Sequence, residues 1–243
     1  MDKLTIAVCP HDTAKRPERW FALAQYLNRS LDQPFQFSQS MDFAEFHESM
    51  HTADLVYANP QDALRLLHDH GFIPLSRAVN LFDEVVFIAN AEAPADNLSA
   101  LSGEPLATVA SMLPTQIALK VLADQGIQPG EVRSQPSWLA VLNHVHKGHS
   151  RFGLLYRDFF EDLNKLSKST VQVIDRSEEH CAFHMFMLSP TMAHIADEVA
   201  AVLAGMSDDP RGREVLDDLQ MSRLALVEED DWDRIQQIRE RYG

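Results

Sequence analysis

The sequence predicts an α/β protein of two lobes, each a mostly parallel sheet flanked by helices, with two extended segments crossing between them. Three observations carry this. Short apolar runs alternate with helix-period stretches, the pattern of a parallel sheet. The alternation breaks off at "NLFDEVVFIAN", residues 80–90, and then begins again. It breaks off a second time at "HCAFHMFML", residues 180–188, and the tail beyond it is helical.

Each element has its own warrant. Leu4–Val8 is a short buried strand, and 9–12 a loop. From Pro17 to Leu31, Trp20, Leu23, Ala24, Leu27 and Leu31 recur at helical spacing. Residues 35–37 form a second strand, and 43–50 a short helix with Phe43, Phe46 and Met50 on one face. A third strand, 53–57, ends at Asn59-Pro60, and a helix runs on to His68 and stops at Gly71. Proline suits the first helical turn and asparagine caps it, so Asn59-Pro60 punctuates strand and helix at once.

Beyond the first crossing, 106–109 and 152–156 are strands, while 114–125 and 137–146 are helices ending at Gly126 and Gly148. Residues 171–174 form a further strand, and the tail is helical over 192–206, 211–219 and 232–241. The predicted lobes are therefore 1–82 with 190–243, and 83–189, with crossings at about 83–90 and 180–188. The tail helices are expected on the first lobe. Such a pair of lobes holds ligands in the cleft, with the crossings as hinge.

Bulk properties exclude several classes. The 243 residues are 45% hydrophobic and carry a formal net charge of −15, which argues against nucleic acid as the partner. An anionic small ligand stays compatible, because backbone N–H groups bind anions on acidic proteins. Cys9 and Cys181 are too far apart in sequence for a C-x-x-C site. No run approaches the ~18 apolar residues of a membrane span, so no membrane insertion is expected. The start "MDKLTIAV" does not read as a signal peptide; the protein is cytoplasmic if that terminus is native and periplasmic if an export signal has been removed.

The stretches "VCPHDTAKRPERWFALAQYLN", "DLVYANPQDALRLL", "ATVASMLPTQIALKVLADQGI" and "SWLAVLNHVHKGHSRFGLLYRDFFEDL", with the closing "SDDPRGREVLDDLQMSRLALVEEDDWDRI", cover nearly the whole chain. In order and spacing they resemble the phosphate/phosphite/phosphonate (PhnD-like) substrate-binding proteins of ABC transporters, which have the type II periplasmic-binding-protein fold. The resemblance implies a solute-binding protein that closes on a small anion and works with an ABC permease, without catalysis or cofactor. It implies that Tyr57 and Asn59 line the cleft, so Asn59 carries two readings, cap and contact. It also implies an anion held by hydroxyls and amides at a helix start, here Ser111 and Thr115, where Met112 and Leu113 replace polar positions.

From position alone, His11 and Thr13 follow the first strand at its carboxyl end, where doubly wound sheets place ligands. Tyr156, Arg157 and Asp158 follow another strand; Arg157 suits a phosphoryl or carboxylate group and Asp158 an amine. Ser137 reads as a cap and Trp138 as core or cleft wall. The ligand set is thus His11, Tyr57, Asn59, Ser111, Thr115, Trp138, Tyr156 and Asp158. His144 and His146 point to nearly opposite helix faces, so no metal site is predicted, and the helix C-terminus favours their protonated forms. Two alternatives stay open: a ligand-sensing domain of a receptor or regulator, and a cleft enzyme using Cys9 with His11.

Overall fold

In the first unit, β1 (Leu4–Val8) leads through α1 (Pro10–Thr13) and α2 (Glu18–Ser30) to β2 (Phe35–Ser38). Then come α3 (Phe43–Ser49), β3 (Leu55–Ala58), α4 (Pro60–His70) and β4 (Ile73–Ala78). The second unit holds β5 (Val85–Asn90), β6 (Leu106–Thr108), α5 (Leu113–Asp124), β7 (Val132–Ser134), α6 (Trp138–His146), β8 (Phe152–Tyr156), α7 (Arg157–Asp162), α8 (Lys165–Lys168) and β9 (Val171–Arg176). The chain ends with β10 (Met185–Leu188), α9 (Ala196–Gly205), α10 (Pro210–Asp218), β11 (Leu224–Leu226) and α11 (Glu229–Tyr242). This computed structural model describes residues 3–13 and 16–242, with the side chain of His11 outside them.

The two units are Met1–Phe82 with Phe183–Glu229, and Asp83–Ala182 with Asp230–Gly243. The first sheet has the order β11-β4-β10-β3-β1-β2. Its β1 pairs in parallel with β2 and β3, while β10 lies antiparallel between β3 and β4, and β11 antiparallel on β4. Four of its six strands therefore run one way. The second sheet, β7-β6-β8-β5-β9, repeats the scheme, with only β5 reversed. In each sheet the reversed inner strand is the one by which the chain enters the unit. The predicted α/β class with two mostly parallel, helix-flanked sheets is what the structure has.

Apolar period explains each core. Trp20, Leu23, Ala24 and Leu27 are the buried stripe of α2, and they join Ile6, Val8, Leu55, Tyr57 and Phe186 in the first core. Strand β5 is buried at every position, as a central strand covered on both faces must be. Its alternation shares it out: Val85, Phe87 and Ala89 enter one apolar cluster, Val86 and Ile88 the other. Gly153 of β8 leaves the room that α6 occupies, since a Cβ there would stand 2.7 Å from Val145 Cγ2.

The division departs from the predicted ranges at two places. Residues 185–188 belong to the first unit because β10 is laddered between β3 and β4. Helices α9 and α10 bury Val199, Leu203, Leu216 and Leu219 in the first core. The last helix goes elsewhere: Ile238 of α11 packs with Leu113, Ile117, Cys181 and Ala182 of the second unit. Strands β4, β7 and β11 were not predicted, because two have only three residues and β4 carries Pro74, which sits at the register shift opposite β10.

Cys181 sits in that small cluster, and burial first, then the negative charges of Glu84 and Glu179, push its thiol up to about 12. A neutral thiol is therefore retained in the folded chain. Its contribution to stability is whole below about pH 9 and is lost as pH rises from about 9 towards about 12, because the unfolded thiol ionises first. Mass-resolved alkylation with iodoacetamide at pH 8 should leave Cys181 unmodified in native protein and modify it in urea. Rapid native labelling would refute this.

Candidate functional site

The first unit gathers its polar groups where β1 and β3 end side by side. The ladder pairs Val8 with Tyr57, and the Cys9 amide continues it by donating to the Tyr57 carbonyl at 2.9 Å. That sets Cys9 beside Asn59. Asn59 Oδ1 accepts from the amides of Gln61 and Asp62, both at 3.0 Å, and Nδ2 donates to Asp62 Oδ2 at 2.6 Å and to Cys9 Sγ at 3.6 Å. The side chain thus caps the start of α4 and also reaches Cys9. Asp62 is itself buried and paired with His47 at 3.0 Å and Arg65 at 3.5 Å.

Tyr57 is 1% exposed, with its ring centroid 4.9 Å from that of Trp20, 4.7 Å from Phe186 and 5.7 Å from His184. Its ring packs in the first core. Thr13 is likewise buried and donates to the Pro10 carbonyl at 3.3 Å. The side chain of His11 lies outside the described residues, so the pairing of Cys9 with His11 does too. Instead, His184 and Asp12 appear beside Cys9: His184 Nδ1 is 2.7 Å from Asp12 Oδ2. Asp12 is anchored through its carbonyl, which accepts from Arg19 Nη2 at 2.7 Å and Trp20 Nε1 at 3.3 Å. Sequence reasoning missed both residues. No spacing rule links positions 172 apart, and His184 sits in a run that reads as a crossing strand.

In the second unit the turn from β6 into α5 is the comparable place. Thr115 is 1% exposed; it donates to the Val109 carbonyl at 2.8 Å and lies 2.6 Å from Thr108 Oγ1. Its hydroxyl ties the helix to the strand. The Met112 amide donates to Val109 at 3.0 Å, the Thr115 amide to Met112 at 2.9 Å, and Pro114 has none. Among the described residues the amides of Ser111 and Leu113 have no acceptor, and Met112 at the cap position supplies no side-chain cap. Ser111 is exposed. Oxyanions suit such a turn, since it offers a hydroxyl and uncapped N–H groups at the positive end of a helix.

Trp138 begins α6 and, partly buried, packs against both apolar clusters of its own unit. Ser137 is the cap, accepting from the Ala140 amide at 3.2 Å. Tyr156 and Asp158 come together as their spacing at the end of β8 suggests: Tyr156 Oη lies 3.2 Å from Asp158 Oδ2 and 3.0 Å from Asp83 Oδ1. Asp83 was missed because it opens a run that reads wholly as strand. Arg157 Nε stands 3.7 Å from Asp158 Oδ1. The histidines at the end of α6 form no such group. His144 and His149 have ring centroids 5.3 Å apart, and burial, ahead of the nearby charges of His149 and Arg133, pushes the His144 imidazole down.

Among the described residues no helix is long and apolar enough to cross a membrane. The fold is shared with solved structures of low identity. XAC2383 from Xanthomonas citri, bound to ATP, matches with a TM-score of 0.71 at 17% identity over 100% of both chains. PhnD1 from Prochlorococcus marinus, in complex with methylphosphonate, matches with a TM-score of 0.73 at 14% identity over 98% of this chain and 97% of that one. The periplasmic aliphatic sulphonate binding protein SsuA from Escherichia coli reaches 0.68 at 11%, over 99% and 86%. No curated protein sequence matches significantly. The model of the phosphonate ABC transporter periplasmic substrate-binding proteins matches residues 6–232, and the chain belongs to that family.

Proposed function

We infer that the chain is a solute-binding protein that closes on a small oxyanion of the phosphonate, phosphite or phosphate type and delivers it to an ABC permease, without turning it over. The observation that carries this reading is the β6–α5 turn, where Ser111 and Leu113 amides without acceptors and the exposed Ser111 hydroxyl stand together in a chain of this family. Tyr156 and Asp158 are the further proposed contacts on the second unit, with His11, Tyr57 and Asn59 on the first. Asp158 is half-exposed and would pair with an amine, which favours an aminoalkyl phosphonate over a bare one. A periplasmic location applies if an export signal directs the chain there.

A thermal-shift panel tests it, with phosphate, phosphite, methylphosphonate, 2-aminoethylphosphonate and an aliphatic sulfonate at millimolar concentration. A ligand present at about 100 times its Kd stabilises the native chain by about 2.7 kcal/mol. For a chain of this size that is a rise of roughly 5–10 °C. Ser111→Asp, which places a negative charge at the turn, should remove the rise. A melting temperature unmoved by every member of the panel would end the oxyanion reading.

A further inference from the structure

We propose that Cys9, Asp12 and His184 form a binding site for a thiophilic divalent cation of the zinc class. One donor atom from each lies within 4.8 Å of the donors of the other two. All three residues belong to the first unit, and the sheet itself gathers them. Cys9 follows β1, Asp12 is on α1, and His184 immediately precedes β10, with β1 and β10 flanking β3.

Thiolate, imidazole and carboxylate are the three ligand types that zinc takes from proteins, and three protein ligands leave a fourth position for water. The thiolate selects against magnesium and calcium, which prefer oxygen alone. Bonds of about 2.0 Å to nitrogen and oxygen and about 2.3 Å to sulfur put tetrahedral donors roughly 3.3–3.5 Å apart. A separation as wide as 4.8 Å must therefore shorten by about 1.5 Å, while His184 Nδ1 and Asp12 Oδ2, now at 2.7 Å, part slightly. Asp12, 23% exposed at its side chain, has the room to turn.

The surroundings suit an ion. Cys9 is wholly buried and His184 is 9% exposed, which shields the bonds from solvent. Asn59 Nδ2 donates towards Cys9 Sγ at 3.6 Å and is held in place by Asp62, the kind of outer partner that orients a thiolate ligand. A thiolate and a carboxylate together balance a divalent charge. Metal ligands of these types bind deprotonated, so binding releases protons and weakens in acid. None of this depends on which oxyanion, if any, the protein carries.

The test is a Co2+ titration of the reduced, chelator-treated full chain. A thiolate-to-cobalt charge-transfer band in the near ultraviolet is expected, lost on adding one equivalent of Zn2+. Cys181→Ser should keep the band and Cys9→Ser should lose it, with circular dichroism reporting the fold of each variant. Should Cys9→Ser fail to fold, His184→Gln and Asp12→Asn carry the test. Each should weaken Zn2+ binding by more than the roughly 10–100-fold of an outer-shell partner. No charge-transfer band in the unaltered chain, a band that survives Cys9→Ser, or undiminished Zn2+ affinity in both other variants would show the His184–Asp12 contact to be a structural ion pair and overturn the proposal.

Discussion

Glu84→Ala is expected to destabilise the second unit by about 3–5 kcal/mol, since it strands the buried Ser177 hydroxyl and the part-buried His180 amide at about 1–3 kcal/mol each and leaves a cavity. Glu84 is fully buried at the point where the chain enters that unit. Its carboxylate accepts from the Ser177 hydroxyl and, at 2.8 Å, from the His180 amide. Ser177 in turn accepts from the Val85 amide at 2.9 Å. One side chain thus fastens the start of β5 to residues 177–180, just ahead of the point where the chain leaves. His180 adopts a φ of 51°, a left-handed conformation that a non-glycine residue holds only when its surroundings compel it. Urea unfolding should show the loss, and hydrogen exchange should quicken at the His180 and Cys181 amides first. Glu84→Gln keeps one acceptor and should lose clearly less. Equal stability of Glu84→Ala and the unaltered chain would refute the role.

The second large effect is expected from Tyr57→Ala, at about 3–5 kcal/mol, the usual range for removing a large ring from a close-packed core. Tyr57 touches Trp20, Phe186 and His184 and has no surface to give up. The urea midpoint should fall with its slope unchanged. Tyr57→Phe separates this packing role from ligand contact. It keeps the ring packing, so a stable Tyr57→Phe chain with weakened oxyanion binding would mean that the hydroxyl meets the ligand. Unchanged affinity with a large loss only in Tyr57→Ala would assign Tyr57 to the core alone.

Much of the site's scaffolding was legible residue by residue. Asn59-Pro60 and Ser137 announced helix starts through their own local chemistry, and both cap as their types require. Tyr156 and Asp158 are two apart at a strand end, so their meeting was a local matter as well. The bonding of Thr115 was not legible in this way: a threonine near a helix start looks the same in sequence whether its hydroxyl turns outward or back to the preceding strand. Which way it turns depends on the space beside Thr108.

What the sequence alone determined is the set of elements whose signal is periodic and local: the alternating strands and helices, the apolar stripe of α2, the extended run that contains β5, the helix caps, and from these the α/β class in two parts. Apolar period and capping act within a few residues, so they can be read along the chain. Only the tertiary structure decided which strand ladders with which, that α11 joins the second unit, and that Cys9, Asp12 and His184 converge. Those outcomes depend on burial and pairing between residues as distant in sequence as Cys9 and His184, and no local pattern encodes such a distance.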